Sequence, residues 1–108
     1  MELKNKRCVP CEGGIPSLNK VQIEAFLSLI DKRWAVVEGK KIVKEYHFVS
    51  FKHTMDFVNK VAEIAEQEGH HPDMFISYDR CRLELWTHAI KGLSENDFIL
   101  ASKIDEVG

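Results

Sequence analysis

At 108 residues the chain has room for one domain, and 44% hydrophobic with 30% charged residues is the balance of a globular protein with a solvated surface. Fifteen Lys and Arg against 17 Asp and Glu leave a formal net charge of −2, without the basic excess that nucleic-acid binding by counterion release requires. No apolar run reaches the roughly 18 residues that span a bilayer, and the opening MELKNKRCVPCEGG has no apolar stretch of the secretory kind.

Residues 1–16 mix charge, Gly13–Gly14 and two prolines without an apolar period, which predicts an irregular N-terminal arm ahead of a single domain over 17–108. Ser17 is placed to N-cap a first helix. Ile23, Phe26, Leu27 and Ile30 then recur at helical spacing, and the helix is expected to end near Arg33. Trp34–Glu38 is aromatic and β-branched and reads as a strand, with Gly39-Lys40 as the turn into a partner strand over 41–51 that carries Ile42, Lys44, Tyr46 and Phe48. Around Thr54 the period becomes helical again. Met55, Val58, Val61/Ala62 and Ala65, widened by Phe57 and Ile64, predict the longest helix over 54–68, closed by a left-handed Gly69.

A second hairpin follows over Met74–Tyr78 and Arg82–Ile90, turning at Asp79–Cys81 and broken by Gly92. Ser94-Glu95-Asn96-Asp97 has the form of a capping box opening a last helix, with Leu100, Ala101, Ile104 and Val107 on its inner face. The order helix, strand, strand, helix, strand, strand, helix predicts an α+β domain: a four-stranded antiparallel sheet with three helices on one face. The outer strands and bare sheet face then offer the cheapest route to a homo-oligomer.

The densest chemical signal is Glu66-Gln67-Glu68-Gly69-His70-His71-Pro72-Asp73, followed by Trp86-Thr87-His88. Glu66 and His70 are four apart, so on a continuing helix the carboxylate orients the imidazole and keeps it titrating near neutrality. Pro72 stops the helix and pushes His71 into an extended conformation, which splays the two adjacent rings apart. Alternation along the fourth strand puts Arg82, Glu84, Trp86 and His88 on one face, and Cys81, Leu83, Leu85 and Thr87 on the other. A strand end with one histidine beside a helix end with two is a reasonable floor for a small-molecule pocket.

Each of these residues also has a structural role open to it. His70 and His71 stand where a helix dipole favours positive charge. His88 reads equally as a surface strand residue, Asp97 as a first-turn helix cap, and Trp34 and Trp86 as core or interface aromatics. His47 and His53 read as structural. Three histidines can hold zinc, but immediate neighbours are awkward ligands for one ion and no second carboxylate–histidine signature supports it. Cys8-Val9-Pro10-Cys11 is half of a zinc-ribbon pattern, and Cys81 alone cannot complete it. Three cysteines are too few and odd in number for a disulfide scaffold, so a reducing cytoplasm is the expected setting.

Glu66-x-x-x-His70-His71-Pro72, the aromatic Tyr78, Trp86-Thr87-His88 and Gly92-Leu93-Ser94-Glu95-Asn96-Asp97 together resemble the pterin-4a-carbinolamine dehydratase family. The resemblance covers roughly residues 18–107 and leaves out the Cys8/Cys11 arm. It implies a lyase, working without cofactor or metal, that removes water from a 4a-hydroxytetrahydropterin to give a quinonoid dihydropterin. His70, His71 and His88 are then the catalytic set, with Glu66, Pro72 and Asp97 around the substrate. It also implies an aromatic amino-acid hydroxylase in the same pathway. The exposed sheet edges lead to a homodimer or homotetramer, and the charge balance and short apolar runs to neither nucleic acid nor membrane as partner. Met74 stands where some relatives have an aromatic. An alternative from another class is a dimerisation cofactor for a transcription regulator, working through helix surfaces.

Overall fold

Period-two burial in the two central strands decides the architecture. In the strand Lys41–His47 (β2), Ile42, Lys44 and Tyr46 are buried, and their direct partners in the antiparallel strand Arg80–Leu85 (β4) are Leu85, Leu83 and Cys81, also buried. The structure, a computed structural model, describes residues 3–9 and 16–107. Two shorter antiparallel strands, Ala35–Val37 (β1) and Asp73–Ser77 (β3), flank the central pair in the order β1-β2-β4-β3. The helices Lys20–Leu27 (α1), Phe51–Glu68 (α2) and Glu95–Asp105 (α3) complete the expected α-β-β-α-β-β-α order.

The sheet is covered on one face because its alternating residues have helical stripes to meet. Thr54, Phe57, Val58, Val61 and Ala65 of α2 are buried, as are Phe98 to Ala101 and Ile104 of α3. Phe26 of α1 stacks on Phe98 with ring centroids 5.2 Å apart. Val107, expected on the inner face of α3, is 38% exposed because the helix ends at Asp105.

Several boundaries move, each for a local reason. Asn19, not Ser17, caps α1, through a reciprocal capping box with Gln22. That helix stops at Leu27 rather than near Arg33, although Ile30 and Trp34 beyond it are still buried. The β1–β2 turn sits one residue earlier than expected. Glu38 and Gly39 both have positive φ (54° and 68°), as the two central residues of a primed hairpin turn require, and Lys40 N–H closes it on Val37 O. Ser50 caps α2 by accepting from the His53 N–H, so β2 ends at His47 and the helix begins three residues before Thr54. Strand β4 starts at Arg80, one residue beyond the Tyr78-Asp79 turn, and ends at Leu85 rather than Ile90.

Lys44 is the exception to an apolar sheet face. It is 3% exposed, and its ammonium lies 3.1 Å from Asp105 Oδ1 and 3.5 Å from Asp31 Oδ2. Asp105 also accepts from Trp34 Nε1–H (2.9 Å) and from the Asp31 backbone N–H (2.9 Å). One carboxylate at the end of α3 thus ties β2 to the loop before β1. Removing the acceptor leaves the buried Lys44 only its longer contact to Asp31 and strands the Trp34 and Asp31 donors, so Asp105→Ala is expected to destabilise the fold by about 3 kcal/mol, read from urea unfolding midpoints at unchanged m-value.

Candidate active site

The site begins where α2 stops. Gly69 takes a left-handed conformation (φ 65°), and its N–H bonds to Ala65 O. That reversal throws His70 off the helical path. His70 therefore does not sit one turn above Glu66. Its Nε2 lies 2.7 Å from Asp97 Oδ1 of α3, and its side chain is only 13% exposed. His71 is the residue that turns back to Glu66, with 2.5 Å between its Nε2 and Glu66 Oε2, on an exposed rim. The expected carboxylate–imidazole pair exists, but with the other histidine.

Asp97 joins three elements. Its Oδ2 accepts the Ser94 backbone N–H (2.9 Å), capping α3, and the Thr87 hydroxyl (2.9 Å). Its Oδ1 is left for His70. A carboxylate only accepts, so the His70 Nε2 carries the proton it donates, and in the neutral ring the lone pair is on Nδ1. The helix cap and the contact to His70 are both made by one residue. Thr87 is also bonded to Ser94 Oγ (2.6 Å), which locks the loop entering α3 to the end of β4.

His88 is not on a strand. Thr87 pairs with Gly92 in an isolated bridge, and the intervening residues form a 3-10 turn over His88–Ile90 closed by Lys91 at φ 52°. The absence of a side chain at Gly92 lets the segment before α1 pack against this turn, since a Cβ there would fall 2.7 Å from Ser17 Cβ. The His88 ring stacks on Trp86, centroids 3.9 Å apart. Asp73 sits behind this pair: its Oδ2 accepts from Trp86 Nε1–H (2.9 Å) and lies 3.9 Å from His88 Nε2. The sequence pattern gives Asp73 no role of its own. The available signal is its place directly after Pro72, opposite Glu84 in the β3–β4 register.

All three histidines line one cleft of about 290 Å³, with Gly69, Trp86, Thr87, Ala89, Asn96 and Val9. Glu66, Asp97 and Pro72 are not in its wall. The first two hold histidines from behind, and Pro72 is half-buried between His71 and β3. Among the described residues no three His, Cys, Asp or Glu side chains gather as a metal-holding group. The cleft is therefore a set of imidazoles at its floor and rim, one of them anchored by a buried carboxylate.

A family model described as pterin 4 alpha carbinolamine dehydratase matches residues 16–107. The chain belongs to the pterin 4 alpha carbinolamine dehydratase family. A relative in Rickettsia bellii named "Putative pterin-4-alpha-carbinolamine dehydratase" is 50% identical over 103 residues, 95% of this chain and 91% of that one. The crystal structure of a transcriptional coactivator/pterin dehydratase from Brucella melitensis superposes with a TM-score of 0.78 at 29% identity, over 84% of this chain and 97% of that one. A pterin dehydratase-like protein described as a RuBisCO assembly factor in the alpha-carboxysome shares the fold, with a TM-score of 0.58 at 20% identity over 68% and 87% of the two chains.

The dehydratase-family match excludes residues 3–9, yet these are built into the site. Within the segment predicted to be an irregular arm, Leu3–Asn5 form a 3-10 turn and Leu3 is buried in the core. Lys6 pairs with Glu95. The Asn96 side chain clasps the Val9 backbone from both sides, accepting its N–H (3.0 Å) and donating to its carbonyl (2.6 Å), and Cys8 N–H bonds to Glu68 Oε1 (2.9 Å). Cys11 and Gly13–Gly14 lie outside the described residues. Burial first, then the Glu68 charge, pushes the Cys8 thiol up to about 12. Native Cys8 is accordingly expected to alkylate slowly at pH 8, and Asn96→Ala, which opens the clasp, to speed that reaction roughly tenfold or more. Because the folded thiol titrates above the ordinary 9.0, docking of this segment should weaken as pH rises past about 9. Mass-spectrometric alkylation rates against pH check both.

Proposed function

We propose that the cleft dehydrates a 4a-hydroxytetrahydropterin to a quinonoid dihydropterin by histidine acid–base catalysis. The observation that carries the reading is the convergence of His70, His71 and His88 on one cleft, with the nearly buried His70 held by Asp97. The reaction needs a proton delivered to the departing 4a-hydroxyl and a proton removed from N5, whose lone pair expels the hydroxyl as water. Two imidazoles acting on neighbouring ring positions suit both transfers, and general acid–base catalysis of this kind is worth about 10²–10⁴-fold.

In this reading His70 takes the N5 proton on Nδ1, and Asp97 stabilises the imidazolium that forms. His88 delivers the proton to the hydroxyl, with Trp86 fixing its ring plane. His71 binds and orients the pterin, and Glu66 holds His71 rather than His70. Pro72 keeps the two adjacent rings apart. The product would return to a tetrahydropterin used by an aromatic amino-acid hydroxylase.

The edge strand β3, with exposed Phe75 and Ile76, supports self-association into a homodimer or homotetramer through that edge. A monomer by light scattering at micromolar concentration would remove that part of the reading. The structural likeness to the Brucella transcriptional coactivator/pterin dehydratase favours a second role as an interaction module for a transcription regulator. A regulator co-purifying with the chain, and retained by catalytically dead variants, would support it.

The decisive experiment is quinonoid dihydropterin formation from chemically generated carbinolamine, followed with and without chelator. The rate enhancement should survive chelation and fall roughly 10²-fold in His70→Ala and His88→Ala, with a smaller kcat loss and a raised KM in His71→Ala. Wild-type rates in all three folded variants would sink the proposal.

A further inference from the structure

A second cleft, of about 400 Å³, lies against the first. Val37, Glu38, Lys40, Lys41 and Lys91 line it together with Trp86 and His88, the two residues that also wall the histidine cleft. Its lysines come from two separate places in the fold. Lys40 and Lys41 follow the left-handed Glu38-Gly39 turn of the β1–β2 hairpin, and Lys91 is the left-handed residue that ends the 3-10 turn carrying His88. Lys41 is already engaged, its ammonium 2.8 Å from Glu84 Oε1. Lys40 and Lys91 are exposed and make no ion pair among the described residues. With Lys41 neutralised by Glu84, Lys40 and Lys91 against the single carboxylate of Glu38 leave this cleft a positive excess on a chain whose net charge is −2.

We infer that this lysine-lined cleft receives an anionic group carried on the 6-substituent of the pterin bound in the histidine cleft. The inference rests on the dehydratase reading and names the substrate class within it: pterins whose side chain ends in a carboxylate or phosphate. The chemistry of the ring sets the direction. Position 6 is bonded to N5, the atom that loses its proton, so a substituent there leaves the ring beside the reacting edge. That edge faces the imidazoles, and His88 with Trp86 is the shared wall over which the substituent passes. Trp86 and Val37 give the connecting atoms an apolar surface, and Lys40 and Lys91 meet the charge at the end. Such exposed lysines act as hydrated point charges, so the contribution is a salt-sensitive selectivity rather than a large affinity.

The test is fluorescence titration of the full chain with 6-hydroxymethylpterin phosphate, whose charge sits at the end of a short linker, and with neutral 6-hydroxymethylpterin. At low salt the phosphate should bind roughly five- to tenfold more tightly, the size expected for one or two solvent-screened charge contacts. That ratio should fall toward one in about 0.5 M salt, where screening reaches a few ångströms, and in the double variant Lys40→Gln/Lys91→Gln. The ratio is read within each protein, so a general loss of folding does not imitate the result, and the salt series needs no variant. Equal affinities at low salt, or a preference that survives both salt and the double substitution, overturn the lysine subsite and leave the pterin reading standing. Failure of both pterins to bind overturns the two together.

Discussion

Asp97 is the carboxylate on which the site depends. It is fully buried, and such a group is tolerated only where hydrogen bonds replace its hydration. Here the bonds come from three places: the first turn of α3, the hydroxyl at the end of β4, and the imidazole just past the end of α2. Each element is held to the other two through two oxygen atoms. The reactive geometry is therefore not an addition to the fold. The contact that caps a helix and closes a loop also sets the plane of His70.

The other two histidines are held more loosely and differently. His71 is bound only to an exposed Glu66, a contact whose strength water and salt reduce. His88 is placed by its backbone turn and by stacking on Trp86, with Asp73 fixing the indole. The cleft thus has one firmly held imidazole at its floor and two more loosely held ones at its rim. Asn96 adds a further wall by gripping Val9 of the N-terminal segment. The neighbouring Asn96 and Asp97 thus bring the N-terminal segment and the residue past the end of α2 to the same cleft.

Much of this is legible from residue order. The helix-ending Gly69, the capping box at Ser94 and the strand alternation of β2 and β4 are local rules, and each is obeyed. The histidine cluster is legible too, because His70-His71-Pro72 and Thr87-His88 are unusual at short range. The partners are not. Glu66 and His70 satisfy helical spacing, yet they do not pair, because Gly69 ends the helix between them and reverses the chain. Alternation continues through Trp86 and Thr87 and so predicts a strand at His88, whereas the Thr87–Gly92 bridge pinches the chain out of the sheet. Strand alternation puts Lys44 on the apolar face with Ile42 and Tyr46, and the arrival of Asp105, 61 positions away, with Asp31 makes its burial tolerable.

Sequence alone determined what short-range stereochemistry and periodicity control: which segments are helix or strand, which face of each is apolar, where glycine or a cap must stop an element, and where titratable side chains cluster along the chain. Tertiary structure decided every pairing across long separations. His70 meets Asp97 over 27 positions, Val9 meets Asn96 over 87, and Trp86 with His88 divides two clefts whose linings come from distant turns. A hydrogen bond between such partners exists only once the whole sheet and its helices have closed around it, and no local preference encodes that closure.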